Sequence, residues 1–261
     1  MSAELLAATT TAVRLAGAAL LARYSTGSRP AGGAELIAAI RANEVAVTDV
    51  LRPALAAALP GATWDDDEHG TGPMPSGDRW VIDPVGGNVN TVHGMPDWNI
   101  GVSLVRDGQP LLAVVYAPLA DELFTAVAGG GARLNDVPMR VSEKTDLAAA
   151  LVGTGQAKPS REAAAAQRTG ASITAMLQAA LYVRFSVPVT HQLVQVAAGR
   201  MDLHWQFDNV RSHIAPLLIV REAGGVVTHL DGKPWEIGGG AYLAAAPGLH
   251  AAALAVLETA V

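Results

Sequence analysis

Two apolar runs, Ile100–Val105 and Leu111–Tyr116, flank the turn Arg106-Asp107-Gly108-Gln109. A short polar turn with Asp-Gly at its centre, between β-branched stretches, is a hairpin signal. It commits the middle of the chain to an antiparallel sheet. Leu123–Val127 continues that sheet and Gly129-Gly130-Gly131 turns it. Upstream, Trp80-Val81-Ile82 reads as a short buried strand that delivers Asp83 at its tip.

Helical patterns surround these strands. Residues 3–24 place apolar side chains at helical spacing, and residues 34–59 also read as helical. Pro53 favours the first turn of a helix, so a second helix is expected to start there. Further helices are expected over 161–180, over Gln192–Ala198 before Gly199, over Ile214–Ala223 before Gly224-Gly225, and over 249–259. Val183–Val189, Val226–Leu230 and Ala241–Ala245 read as strands, and Gly27–Gly33 and residues 62–78 as loops. Hairpins interleaved with helices give an α/β class, layered as α+β. The 261 residues, half of them apolar, suffice for one large domain. Two fused lobes are expected within it, an α+β lobe over about 1–145 and an α/β lobe over about 146–261. Alanine supplies much of the apolar content and aromatics only 5%, so the core is expected to use small side chains. The Ala, Gly and Val bias fits a GC-rich bacterial genome.

Several functions are argued against. With a net charge of −6 and no long basic run, the chain lacks the means to neutralise phosphates along a nucleic acid. With no cysteine, disulfides, thiolate catalysis and Cys-bound zinc are excluded. Glu4, Arg14 and Arg23 interrupt the apolar N-terminal segment, so neither a membrane span nor a signal peptide is expected, and the location expected is cytoplasmic. Gly129-Gly130-Gly131 has no P-loop lysine after it and reads as a turn. Asp65–Glu68 would, taken alone, be a solvated acidic loop.

The segment Trp80-Val-Ile-Asp-Pro-Val-Gly-Gly-Asn-Val-Asn-Thr-Val-His-Gly-Met-Pro96 resembles the central motif of the inositol monophosphatase family. Three more blocks are similar to that family's and come in its order: Gly131-Ala132-Arg133-Leu134-Asn135, Ala197-Ala198-Gly199-Arg200-Met201-Asp202 followed by Trp205, and Arg221-Glu222-Ala223-Gly224-Gly225. Together they span about Val45 to Ala245. The resemblance implies an αβαβα sandwich of the inositol monophosphatase and sugar phosphatase type, often a homodimer. It also implies Mg²⁺ ions held by carboxylates that clamp a phosphate and activate a water.

Matched residue by residue, Asp67-Glu68 falls on the family's acidic loop, Asp83 on the first Asp of the motif, and the Val85 carbonyl on its backbone ligand. Asp49 falls on the Asp of the water-activating pair. The departures are grouped. Gly86 stands for the motif's second Asp, Asn88 for its Thr, and Ser212 for the late metal-binding Asp, with Arg211 in place of a Trp and Asp208 and His213 nearby. Gln206 replaces a substrate-contacting Glu, and Val187-Pro188-Val189-Thr190 replaces a wall of small residues.

The expectation is therefore a diverged enzyme without the two-metal centre and with no cofactor. If one ion binds, Glu68, Asp83 and Val85 would hold it. Asp83, Glu68, Asp67, Asp49 and His213 are the candidate acid/base groups, with structural and catalytic roles both open for His213. Gly86, Gly87, Asn88, Thr190, Gln206, Asp208 and Ser212 are the candidate contacts to a small-molecule substrate. Crowded carboxylates raise one another's pKa and so become proton donors near neutrality. The alternatives are a Mg²⁺-dependent phosphomonoesterase with one metal or shifted ligands, and a non-catalytic binding protein.

Overall fold

The computed structural model describes residues 3–27 and 29–259; Ser28 of the expected Gly27–Gly33 loop lies outside them. The chain runs α1 (Ala3–Leu21), α2 (Gly33–Ala58), β1 (Thr63–Asp65), β2 (Asp78–Gly86), α3 (Asn88–Val92), β3 (Asn99–Arg106), β4 (Gln109–Ala117), β5 (Glu122–Val127), β6 (Gly131–Leu134) and β7 (Val137–Pro138). It continues through a 3₁₀ turn at Leu147–Ala149, β8 (Leu151–Thr154), α4 (Ala163–Ala179), β9 (Tyr182–Phe185), α5 (Val189–Ala197), β10 (Leu203–Gln206), a 3₁₀ turn at Arg211–His213, α6 (Ile214–Glu222), β11 (Val226–His229), β12 (Tyr242–Ala245) and α7 (Pro247–Glu258).

The first sheet follows chain order, β1-β2-β3-β4-β5-β6-β7, and the second runs β11-β12-β10-β8-β9. Strand alternation sorts the apolar residues into three layers of core. Trp80 and Ile82 pack with Val13, Leu20, Leu51 and Leu55 under α1 and α2. Val81 and Val115 face the other way, onto Leu193 of α5, Leu218 of α6, and Tyr242 and Ala244 of the second sheet. Trp205, Leu243 and Ala245 point outward onto Met176 of α4 and Leu249 of α7. The period of two in the strands thus generates an αβαβα sandwich. Each large side chain taken fully out of water, such as Trp80 or Leu51, contributes about 2–3 kcal/mol.

Among the described residues one helix, α1, is long and apolar enough to cross a membrane by length and composition. Here its Val13, Ala16 and Leu20 are buried in the layer that covers the first sheet.

Two sequence expectations are corrected. Pro53 does not start a helix but sits inside α2. Its ring removes one hydrogen bond to the Asp49 carbonyl, but the stripe Asn43-Val47-Leu51-Leu55 stays buried at a spacing of four, and that packing outweighs the lost bond. The strand expected over Val183–Val189 stops at Phe185, a cis Val187–Pro188 bond follows, and Val189 already opens α5. With Pro188 as N-cap, the apolar face of Val189, Leu193 and Val196 belongs to the helix.

Candidate active site

Asp83 ends the regular part of β2, where the register with β3 shifts between Asp83 and Gly86. Such a bulge re-aims the backbone, here at Pro84 and Val85. Asp83 is 5% exposed and shares a side-chain hydrogen bond with Glu68. Like charges this close disfavour ionisation of both carboxylates together, so each raises the other's affinity for a proton. Burial pushes Glu68 up to about 7, and the charges of Glu44 and Asp67 add to that. Burial, then Glu68 and Glu44, hold Asp83 well above the ordinary carboxylate range. His69 Nδ1 stands 3.7 Å from Glu68 Oε1 and is partly exposed, so it links the pair to solvent.

The acidic loop is held by the segment before α6. Ser212 N donates to the Glu68 carbonyl at 2.9 Å and Arg211 N to that of Gly70 at 3.1 Å. The Arg211 guanidinium is buried against Asp65 Oδ2 at 3.0 Å and the Gly72 carbonyl at 2.7 Å. This cation clamps the loop from behind and leaves the Glu68–Asp83 pair uncompensated. Glu68 lines a cleft of about 400 Å³ with Glu44, Thr48, Arg52, Trp64 and Pro84. Arg52 pairs with Asp66 and lies over the Trp64 ring.

A Cβ at Gly86 would lie 2.7 Å from Asn99 Oδ1, 2.8 Å from Asp83 Oδ2 and 2.8 Å from Thr190 Oγ1. The space an acidic side chain would need there is already filled. Asn99 and Thr190 hydrogen-bond to each other at 3.1 Å, so Thr190 is part of the floor beneath Gly86. Gly87, at φ 83°, N-caps α3 where a Cβ would strike the Asp97 carbonyl and the Pro188 ring.

Other expected site residues are committed elsewhere. Asp49 lies on the exposed side of the unbroken helix α2, rotated away from Asn43, Glu44 and Val47, and does not join the cleft. The Asn88 amide is spent on the Asn43 amide at 2.9 Å and the Ile40 carbonyl at 3.0 Å, so it latches α3 to α2. Gln206 donates to the Gly155 carbonyl at 2.9 Å and accepts from Phe207 N at 2.8 Å. His213 is 1% exposed, its Nδ1 stands 2.9 Å from the Tyr242 hydroxyl, and burial brings its pKa down to about 3. It is thus shut away from solvent against Tyr242. Asp67 is exposed beside the pair, and Ser212 and Asp208 are half-buried at the edges.

Glu44 and Asn43 were not singled out from sequence. The readable signal was Asn43 itself, a polar residue within the Asn43-Val47-Leu51-Leu55 stripe. Among the described residues no group of three or more His, Asp or Glu side chains converges as an ion site. Glu68, Asp83 and the Val85 carbonyl are the donors that match one ion. At the two positions matched to further family carboxylates this chain carries Gly86, which has no side-chain oxygen, and Ser212, which has a neutral hydroxyl.

The sequence model of the inositol monophosphatase family matches residues 1–261. The chain is 38% identical to an inositol-1-monophosphatase of Rhizobium meliloti over 163 residues, which is 61% of this chain and 60% of that relative's length. It is 34% identical to the Nus factor SuhB of Pasteurella multocida over 209 residues, 79% of this chain and 76% of that one. Among solved structures, the inositol monophosphatase of Anabaena superposes with a TM-score of 0.81 at 28% identity, covering 98% of this chain and 96% of the other. Mycobacterium tuberculosis SuhB gives 0.80 at 26%, with the same coverage. The chain belongs to the inositol monophosphatase family.

Proposed function

We propose that this protein has lost the two-metal phosphatase centre and uses the same cleft for metal-independent acid/base chemistry on a small metabolite: an isomerisation, cyclisation, elimination or hydrolysis. The observation that carries this reading is the close Glu68–Asp83 pair, next to Gly86, where a side chain would run into Asn99, Asp83 and Thr190. Glu68, poised near neutral pH, gives or takes the substrate proton, since a catalytic group works best with a pKa near the working pH. Asp83 holds the partner proton and fixes the orientation of Glu68. His69 stands beside Glu68 at the exposed side of the pair. With Asp66 neutralised by Arg52, Glu44 and Asp67 still give the cleft an excess of negative charge that disfavours a phosphate ester and suits a neutral or cationic substrate.

The alternative is a phosphomonoesterase that uses one Mg²⁺ on Glu68, Asp83 and the Val85 carbonyl, favoured by the bulge that turns the backbone at Val85. Calorimetric titration with Mg²⁺, together with phosphate release from sugar, inositol and nucleotide phosphates, separates the two. Tight binding with turnover sinks the acid/base reading, whereas millimolar or weaker binding without turnover supports it. A cytoplasmic homodimer is part of the same proposal. Leu177, Leu181 and Tyr182, exposed at the edge strand β9 and the end of α4, are candidates for the interface, which sedimentation tests.

A further inference from the structure

β8 pairs parallel with both β9 and β10, so these strands end at the same edge of the second sheet. The C-terminal edge of parallel strands is where α/β sheets open a crevice between the loops that leave it. Here that crevice has a volume of about 280 Å³ and is closed on one side by α4. Phe185 and Phe207 supply aromatic faces, and the Arg168 guanidinium lies over the Phe207 ring at 4.7 Å from its centroid. Lys158, from the loop after β8, brings a second cation, and Ile173 an apolar wall. Among the described residues neither Lys158 nor Arg168 pairs with a carboxylate. Of the two acids on the rim, Glu162 is exposed at the start of α4 and the charge of Asp208 bears on Tyr242. Gly170, on α4, faces open space where a Cβ would meet nothing within 4 Å.

We propose that this crevice is a binding site for a planar aromatic ring bearing an anionic group. The ring is taken between Phe185 and Ile173, with Phe207 lying beneath Arg168. The anion is met by Lys158 and by the N–H edge of Arg168, whose face is occupied by Phe207 while its edge stays free to donate. The crevice includes Gln206 and Asp208, expected from the sequence to contact a substrate, but shares no residue with the cleft that holds Glu68, and the binding proposed does not depend on the acid pair's chemistry. Gly170 borders the crevice without a side chain, so a bulky residue there has open space to enter and narrows it.

The test is a titration of the full chain with 2-naphthoate, followed by calorimetry. Saturable binding is expected, weakened at least about tenfold in Gly170→Leu, which fills the crevice while improving the propensity of the helix. Arg168→Gln and Lys158→Gln each weaken it about fivefold. Neutral 2-naphthalenemethanol and non-aromatic cyclohexanecarboxylate bind at least about tenfold less well than naphthoate. Glu68→Gln binds naphthoate as the wild type does, so a failure here and a failure of the acid-pair reading are told apart. No saturable binding, or binding unchanged in Gly170→Leu, overturns the site. Equal affinity for the alcohol overturns its anionic character.

Discussion

Asn99 Nδ2 and Thr190 Oγ1 meet at 3.1 Å directly beneath Gly86, joining β3 to the first turn of α5 across the place where the family's second motif aspartate projects. Restoring the acid therefore means displacing two buried polar groups that satisfy each other. Gly86→Asp is expected to cost about 1–3 kcal/mol of stability through overpacking and to leave Mg²⁺ affinity unchanged. Thermal unfolding and calorimetric titration of the variant check both. A gain in Mg²⁺ affinity would show that the floor yields to the new side chain.

The carboxyl pair makes stability depend on pH in a definite direction. The pKa of Glu68 rises from 4.5 in the unfolded chain to about 7 in the fold, so the folded state binds more protons between those values. Its contribution is fully present below pH 4.5 and is lost as pH rises through 7. Glu68→Gln removes the titration, and unfolding midpoints measured from pH 5 to 8 are expected to fall less steeply with rising pH than the wild type's, by about 2 kcal/mol over the range. An unchanged slope would mean the pair is not the source.

On the acid side the histidines act in the opposite sense. Burial brings both His204 and His213 from 6.5 down to about 3, so the unfolded chain binds more protons between those values. Stability from this source is complete above pH 6.5 and drains away as pH falls toward 3. Neither ring nitrogen of His204 has a hydrogen-bond partner. His204→Leu is accordingly expected to hold or raise the melting temperature at pH 7 and to flatten the acid limb, because it removes an unsatisfied buried group. A large loss of stability at pH 7 would contradict this.

Arg211 is a positioning residue. Arg211→Met leaves Asp65 without its buried partner and the Gly72 carbonyl without its donor. The expected cost is about 3 kcal/mol, and the loop over 65–73 becomes the preferred site of limited proteolysis. Arg211→Lys recovers part of the stability but lacks the planar fork that serves both partners. Proteolysis that leaves this loop intact in Arg211→Met would remove the assigned role.

The layers were legible in the sequence because strand alternation is a local property. Trp80, Val81 and Ile82 already declare two faces, and the Asp107-Gly108 turn already declares a hairpin. The acid pair was legible through the resemblance around Asp83. What escaped were effects of distant packing. Asp49 gave way to Glu44 because the helical period of α2 turns Asp49 to the exposed side and sets Glu44 against the cleft beside Glu68. Val187–Val189 reads as extended by composition, yet the helix claims Val189 because its side chain fits the central core layer. The fate of Gln206 and Asn88 depends on backbone carbonyls, at Gly155 and Ile40, that no local pattern marks.

Helix α2 runs without interruption for 26 residues, roughly 39 Å. Near one end Arg52 grips Asp66 of the acidic loop, and about two turns earlier Asn43 grips Asn88 of α3. One rod thus holds both the acidic loop and α3, with Glu44 between the two holds and lining the cleft. Glu44, whose charge helps raise the proton affinity of Glu68, rides on that same helix, so any tilt of the rod moves both holds and this charge together.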